Sequence, residues 1–429
     1  MAYHVDLLWN PRDAAHLSRK DQAPGRYRAY VPDELGEWLP PIGPNARQAA
    51  EDALAVLARA DERIGASGGY LYHLLIRSES ISSSWIEGNR VTPKKLAIAE
   101  LLHEGTRVAL DVVANVRATE EAIAVLADRD RPVASADIEH LQHVIEPSLK
   151  TGLRDEQNWV GGSGWSPLRA DFVPPPESEV SRLVDDLARF VTATEGNPVV
   201  RAAIAHAQFE TIHPFIDGNG RTGRALIHTV LRRTDALRNT LIPISTVFAG
   251  DTDAYIAGLG AFRENPPRVD DWIIGFAQAA ELAAADAVRL SDDLTLLDQA
   301  VREDLIHCRQ EHSVSPAKPR RDAVVLRILD TLATDPVLTV DAVAARHRVS
   351  TAAAHRALVE LAEAGVLGRN KDHKGRLICW TADRHLALVA LTERSNPVGA
   401  GDTEHHRPRL GPSVPAIDQI GILRQSGLV

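Results

Sequence analysis

A mainly α fold, with one hairpin or flap near its middle and a small α+β unit towards its end, is the class this sequence predicts. Three observations predict it. From Asn45 to about Gln310, apolar residues recur three and four apart in Ala-rich segments, the period of a helix with one buried face. The stretch 151–176 breaks that period with four glycines, two tryptophans and three consecutive prolines, which suits a hairpin or flap closed by a rigid turn. Beyond it, residues 322–390 alternate short helical patterns with two strand-like runs.

The elements follow in order. The first 43 residues are rich in Pro and Trp, and prolines at 32, 40, 41 and 44 exclude a helix interior, so this part reads as an extended strap over a helical body. Helices are expected at 45–64, 68–85, 93–104, 109–129 and 136–147. Pro93 suits a first helical turn, and Ser135 is a plausible N-cap with Asp137 and Glu139 favouring the first turn after it. Helical period returns at 177–194, 198–212, 219–235 and 268–310. Residues 313–321, SVSPAKPRR, read as a linker, and the tail from 391 to 429 as a flexible segment. The expected division is therefore 1–110, 111–312, the linker, 322–390 and the tail. No repeat with a period of about 20–50 residues is visible, which argues against a solenoid.

Composition narrows the function classes. With Lys plus Arg at 48 and Asp plus Glu at 58, the chain carries 48 − 58 = −10 charges, a poor overall coat for nucleic acid or anionic membrane. The two cysteines, Cys308 and Cys379, form no CxxC pair, so neither a disulfide framework nor a cysteine zinc site organises the fold. The N-terminus lacks the pattern of a signal peptide and no uncharged apolar run approaches a membrane span, so the expected compartment is the cytoplasm.

One segment carries chemistry: Ile212-His213-Pro214-Phe215-Ile216-Asp217-Gly218-Asn219-Gly220-Arg221-Thr222-Gly223-Arg224. Apolar-periodic runs flank it, so it reads as helix, tight loop, helix. Gly218 and Gly220 let backbone N–H groups line a concavity that opens a helix, where the dipole favours anions. Asn219 offers an amide donor. Arg221 and Arg224 lie on one side of the first helical turn and can neutralise two phosphates. Asp217 is suited to holding Mg²⁺ beside those phosphates, and His213 to taking a proton from an incoming hydroxyl. The pattern Gly218-x-Gly220-x-x-Gly223 also matches the dinucleotide fingerprint, but that fingerprint needs a preceding strand, and helical period stands there instead. No Lys-Ser or Lys-Thr follows, which excludes Walker A. His206 makes no HExxH pair, and His405-His406 falls in the tail.

The segment HPFIDGNGRTGR resembles the signature of the Fic (filamentation induced by cAMP) domain, H-P-F-x-D/E-G-N-G-R/K-x-x-R, at every fixed position. GLRDEQNWVGG (152–162) is similar to that family's flap, with Trp159 and Trp165 placed to pack its base. Ser83-Ser84-Trp85-Ile86-Glu87-Gly88 matches its inhibitory pattern S/T-x-x-x-E-G/N; Gly88 also reads as a plain helix cap. The likeness covers roughly residues 25–290 and implies a Fic-type helical core with a β-hairpin flap, of the class with an N-terminal inhibitory helix.

Such a likeness implies transfer of AMP from ATP to a Ser, Thr or Tyr hydroxyl of a target protein or of the chain itself, with ATP and Mg²⁺ required. His213 would be the general base and Asp217 the metal ligand. Gly218, Asn219, Gly220, Arg221, Thr222 and Gly223 would surround the phosphates. Arg224 would meet either the γ-phosphate or Glu87, with Ser83 and Gly88 completing the inhibitory motif. Tyr255 is the one tyrosine placed for the adenine side. Alternatives are a nucleotide-sensing transcriptional regulator that binds DNA, and transfer of another phosphate-linked group or removal of AMP.

The last unit resembles a winged helix-turn-helix. Its helices are expected at 322–332, 340–346 and 351–364, with Ser350 as N-cap, Gly365 as C′ residue and a two-stranded wing at 366–380. Between Arg320 and Arg376 ten basic and seven acidic residues give +3, a modest basis for DNA contact through 350–376. A homodimer is a further expectation of the resemblance.

Overall fold

The computed structural model describes residues 2–11, 23–66, 70–162, 165–371 and 378–393, so the expected tail lies outside it apart from the end of one helix. The chain is mostly helical. The expected N-terminal strap is instead a regular hairpin. Strand β1 (Tyr3–Trp9) pairs antiparallel with β2 (Gly25–Val31), Tyr3 opposite Val31 and Trp9 opposite Gly25. Proline excluded a helix here, but strand period is harder to see because the hairpin buries little beyond the end of β2.

Helix α1 (Pro44–Ala66) buries Ala46, Ala50, Ala53, Leu57, Ala60 and Ile64, each 3% exposed or less, in an unbroken three-four spacing. Alanines at those positions let it lie close against a long later helix, whose own small residues complete the seam. Next come α2 (Tyr70–Ile86), α3 (Pro93–Leu102) and α4 (Arg107–Glu121). Thr92 and Thr106 cap the last two through their side-chain oxygens. The helix expected to run to 129 widens at its end into a π turn, Ala122–Leu126. Helix α5 (Ser135–Ile145) begins one residue earlier than expected: Ala134 is the N-cap residue, and Asp137 accepts the Ala134 N–H at 2.8 Å. Ser135 is already helical and turns its hydroxyl to Asp185.

The described part of the 151–176 stretch forms no strand ladder. Among its described residues one antiparallel bridge, Val160 with Phe172, and one 3₁₀ turn, Pro167–Arg169, interrupt an irregular loop. Gly161 and Gly162 take left-handed backbone (φ +75° and +68°) hard against 169–171, and a Cβ on Gly162 would sit 2.1 Å from the Arg169 carbonyl. Trp159, 2% exposed, packs edge-on against Trp9 beside Ala29 and Val173, which ties this loop to the N-terminal hairpin.

Helices α6 (Glu177–Thr192), α7 (Pro198–Ile212) and α8 (Asn219–Arg233) follow. From Val199 to Ile212 every residue of α7 is buried, so it is the central rod of the body. Two helices were not anticipated, α9 (Ile244–Gly250) and α10 (Thr252–Phe262). Both are short, and α10 carries two glycines in a nearly continuous apolar run, which blurs any helical period. Helix α11 (Val269–Glu311) is the partner of α1 and spans the body. One apolar core gathers residues from Val31 to Leu294.

The last unit comprises α12 (Val324–Leu329), β3 (Val337–Leu338), α13 (Val340–His347), α14 (Thr351–Glu363), β4 (Gly368–Lys371), β5 (Ile378–Thr381) and α15 (Asp383–Glu393). Ser350 caps α14 by accepting the Ala353 N–H at 3.2 Å, and Gly365 takes φ +69° just past its end. The first helix is shorter than expected, and the sheet has three strands in the order β3-β5-β4, because Val337 and Leu338 pair with Thr381 and Trp380. The tip between β4 and β5, with Lys374 and Arg376, lies outside the described residues. This unit is fused to the body: Val301 and Leu305 of α11 enter its core, while Leu388 and Val389 of α15 enter the main one.

Candidate functional site

The site is built at the break between α7 and α8. His213 ends α7 with left-handed backbone (φ 49°, ψ 59°), and Pro214 after it cannot continue the helix. Gly218 restarts the chain at φ +82°, a conformation that only glycine adopts without strain, and α8 begins at the next residue. Between them the loop is pinned by Asn219, whose Oδ1 accepts the Phe215 N–H at 2.9 Å and whose Nδ2 donates to the Phe215 carbonyl at 2.8 Å. Asn219 was expected to face phosphate. It is buried instead and shapes the loop, because both ends of its amide match the two backbone groups of Phe215. Asp217 accepts the Gly218 N–H through Oδ1 at 2.7 Å, and Gln142 of α5 donates to its carbonyl at 3.0 Å.

The preceding irregular loop clamps this one from outside. Arg154 donates from its backbone to the Pro214 carbonyl at 2.9 Å and from Nε to the His213 carbonyl at 3.0 Å, while Nη2 reaches the Pro175 carbonyl. Asn158 Nδ2 donates to the carbonyls of His213 (3.2 Å) and Phe215 (3.0 Å). Burial brings the Arg154 guanidinium down to about 10. Neither residue stood out in the sequence, since both lie in a stretch read only as flap.

Two arginines in the first turns of α8, Arg221 and Arg224, are buried, each 1% exposed. Arg224 donates from Nε to Ser83 Oγ (2.9 Å), and from Nη2 to the Ser83 carbonyl (2.8 Å) and Glu87 Oε1 (2.7 Å). Burial works against its charge, but the fields of Glu87, Tyr255 and Glu210 outweigh burial and hold it firmly protonated. The Glu87 carboxylate also covers Gly220: a Cβ there would stand 1.9 Å from Oε1. It therefore rests on the first turn of α8, where the N–H groups of the helix start offer an anion site. Gly88, at φ +84°, caps α2 at the same time, so the cap and the ion pair are features of one turn.

Arg221 pairs through Nη2 with Glu146, at the end of α5, while its Nε and Nη1 are buried with no protein partner among the described residues. Burial, and the charge of Asp217, push the Glu146 carboxyl up despite Arg221. Glu146 had no signal in the sequence, being 75 positions from its partner. Glu210 is likewise new. It lies one turn before His213, with Oε2 3.7 Å from His213 Nδ1. Burial alone would raise its carboxyl, yet His213, His206 and Arg224 bring it down to about 2.

Tyr255, the tyrosine expected on the adenine side, is buried. It is 6% exposed behind Arg224, with its hydroxyl 2.8 Å from His206 Nε2 and 3.5 Å from Arg224 Nη1, and its ring stacked on Phe248 at 4.5 Å. Thr222 and Gly223 also face inward: a Cβ on Gly223 would meet Glu210 and Phe209 at 2.8 Å, so that glycine sets the α7–α8 approach. His206 is an interior histidine stacked among Phe248, Tyr255 and Trp272, and burial lowers it to about 4. Among the described residues no group of three or more His, Cys, Asp and Glu is placed to hold a metal ion. No helix among them is long and apolar enough to cross a membrane.

A loop that fixes a histidine, then a glycine-started helix lined by arginines, can bind a polyanion and present a base to a neighbouring group. Comparisons with known proteins cover the same segment. A family model described as Fic/DOC family matches residues 132–231. A probable protein adenylyltransferase of Aquifex aeolicus is 27% identical over 145 residues, 34% of this chain and 43% of that protein. Protein adenylyltransferase Fic of Drosophila grimshawi is 36% identical over 92 residues, 21% of this chain and 17% of that protein. Protein adenylyltransferase fic-1 of Caenorhabditis elegans is 32% identical over 111 residues, 26% of this chain and 20% of that protein. The chain thus spans less than half the length of these relatives. A solved Fic family protein from Desulfovibrio desulfuricans G20 superposes with a TM-score of 0.50 at 19% identity, covering 81% of this chain and 98% of that one, a likeness of fold. Residues 132–231 of this chain thus match the Fic/DOC family model.

Proposed function

We propose that this protein is an adenylyltransferase that moves AMP from ATP to a hydroxyl side chain of a protein, and that Glu87 holds it inactive. The observation that carries the reading is the pair of buried arginines at the start of α8. One has two nitrogens lacking a protein partner among the described residues, and the other is met by a carboxylate seated on the helix's first turn. That is a polyphosphate site, part of it filled by an acidic side chain.

In this reading ATP lays its phosphates along Gly218, Gly220, Arg221 and Arg224. Electrostatic positioning of this kind supplies most of the catalysis in phosphoryl-type transfer. His213 takes the proton of the target hydroxyl, the oxygen attacks the α-phosphorus, and pyrophosphate departs as the bond to the β-phosphate breaks. Asp217 would hold Mg²⁺. Its carboxylate is partly exposed where the loop enters α8, and one carboxylate, with phosphate oxygens and water, is a common Mg²⁺ environment. The ion would neutralise phosphate charge in the transition state. Glu87, paired with Arg224, takes the place of a γ-phosphate oxygen, so that ATP cannot settle for in-line attack.

We read the last unit as a winged helix-turn-helix that binds DNA. Arg348, Thr351, His355, Arg356 and Arg369 are exposed around the start of α14 and on β4, which suits phosphate and groove contact. Cys308 and Cys379, both buried and not joined in a disulfide, fit a reducing compartment such as the cytoplasm.

The test is transfer of label from α-³²P-ATP with Mg²⁺ to the purified protein and to a lysate, for wild type, Glu87→Gly and His213→Ala. Label that rises with the first change and disappears with the second supports the reading. Absence of label in all three overturns it.

A further inference from the structure

The turn that carries Glu87 lies between α2 and α3, and both helices are gripped by the C-terminal unit. On α2, Arg77 donates to the Ala333 carbonyl (3.3 Å) and the Thr334 carbonyl (2.9 Å), just before β3, while its Nε bonds Glu100 of α3 at 2.9 Å. Arg77 is 8% exposed and lies ten residues before Glu87, on the helix that leads into its turn. On α3, Lys94 Nζ donates to Asn370 Oδ1 of β4 (3.0 Å) and to Asp383 Oδ1 at the start of α15 (3.1 Å). Ala97 of α3 completes the grip in a small apolar cluster with Val337, Cys379 and Leu386. A cavity of about 220 Å³ sits on the same seam, lined by Arg77, Glu100, Glu120, Thr334 and Asp335 among others, so the seam is not packed solid.

We infer that the C-terminal unit is a clamp on the Glu87 turn: the contacts of Arg77 and Lys94 keep Glu87 on Arg224, and whatever engages β4 from outside loosens them. The coupling path is contiguous. Arg369 and Asn370 are neighbours on β4 and point to opposite faces, as strand residues do. Arg369 is exposed while Asn370 holds Lys94. A polyanion drawing Arg369 outward acts directly on the strand that anchors α3, five residues beyond the inhibitory turn's own Asn89. In linkage terms the outer ligand and ATP then favour the same released state and bind cooperatively.

The consequence for transfer rests on the adenylyltransferase reading, whereas loosening of the turn does not. The variant is Lys94→Glu, which sets like charges against Asp383 at an exposed pair. It does not weaken α3, since an acidic residue in a first helical turn is favourable. Amide hydrogen exchange across 83–92 should quicken by about two- to fivefold, the scale of a surface ion pair. Adding Asp383→Lys should restore the slow exchange. Arg77→Ala, read in the same way, should give a larger effect. Self-labelling should rise with exchange when Glu87 is present, and Lys94→Glu should add nothing to Glu87→Gly. Unchanged exchange at 83–92 in both Lys94→Glu and Arg77→Ala overturns the clamp. If Glu87→Gly takes up no label, the transfer reading has failed, and the exchange result alone still decides the clamp.

Discussion

Glu87 Oε1 lies 2.7 Å from Arg224 Nη2, joining the end of α2 to the first turns of α8 across 137 positions of sequence. The same guanidinium holds both the hydroxyl and the carbonyl of Ser83, so the turn after α2 is read by one buried cation. Removing the carboxylate leaves that cation short of a partner, and what it then attracts is an anion from solution.

Glu87→Gly should therefore lower stability while raising nucleotide affinity. Loss of a partner from a buried charged group costs about 1–3 kcal/mol, to be seen as a lower midpoint in urea unfolding. A non-hydrolysable ATP analogue should recover most of that loss by binding the vacated arginine. Equal ligand stabilisation of the wild type and the variant in a thermal-shift titration would contradict the pairing's role.

Asn219→Asp separates a shaping role from a phosphate contact. The carboxylate keeps the acceptor for the Phe215 N–H but loses the donor to its carbonyl. A fall of about 1–3 kcal/mol in unfolding free energy without any nucleotide present is expected. Stability equal to wild type, with only nucleotide affinity lost, would place the amide on the ligand instead.

Asn158→Ala loosens the clamp on the 213–218 loop, leaving the carbonyls of His213 and Phe215 with one side-chain donor each instead of two. In a Glu87→Gly background, turnover should drop by roughly 10–100-fold, the scale of a misplaced reacting group. Nucleotide affinity should change little, since the arginines are untouched. A kinetic split with KM rising and kcat constant would count against this.

Acid sensitivity should come in two steps. His206 is held near 4 in the fold against an ordinary 6.5. The unfolded chain therefore takes up the proton first, and stability declines as pH falls from about 6.5 towards 4. Glu210 is held near 2 against 4.5, so its contribution is present above 4.5 and is lost as pH falls towards 2. Each step is worth up to a few kcal/mol, roughly 1.4 per pH unit of displacement. In melting curves recorded against pH, His206→Gln should flatten the upper step and Glu210→Gln the lower one. An unaltered pH profile in both variants would refute the assignment.

Much of the fold was legible because helices of this length repeat their buried residues every three or four positions. The positions 46, 50, 53, 57, 60 and 64 are apolar in sequence and buried in space for the same reason. The extra helices α9 and α10 escaped because a short run that is apolar nearly all round has no period to read. The N-terminal hairpin escaped because proline only says what a segment is not.

The motif 213–224 was visible by itself, since the residues that build this glycine-started helix are neighbours in the chain and their spacing carries the geometry. The sequence alone therefore determined the loop, the helix that follows it and the chemistry they can offer. Only the tertiary structure decided which of those side chains face a ligand. It turned Asn219 and Tyr255 inward, and it supplied Glu146, Arg154, Asn158 and Glu210 as partners. The reason is physical: buried charges and carbonyls must each find a partner, and the nearest one in space can be 75 or 137 positions away along the chain.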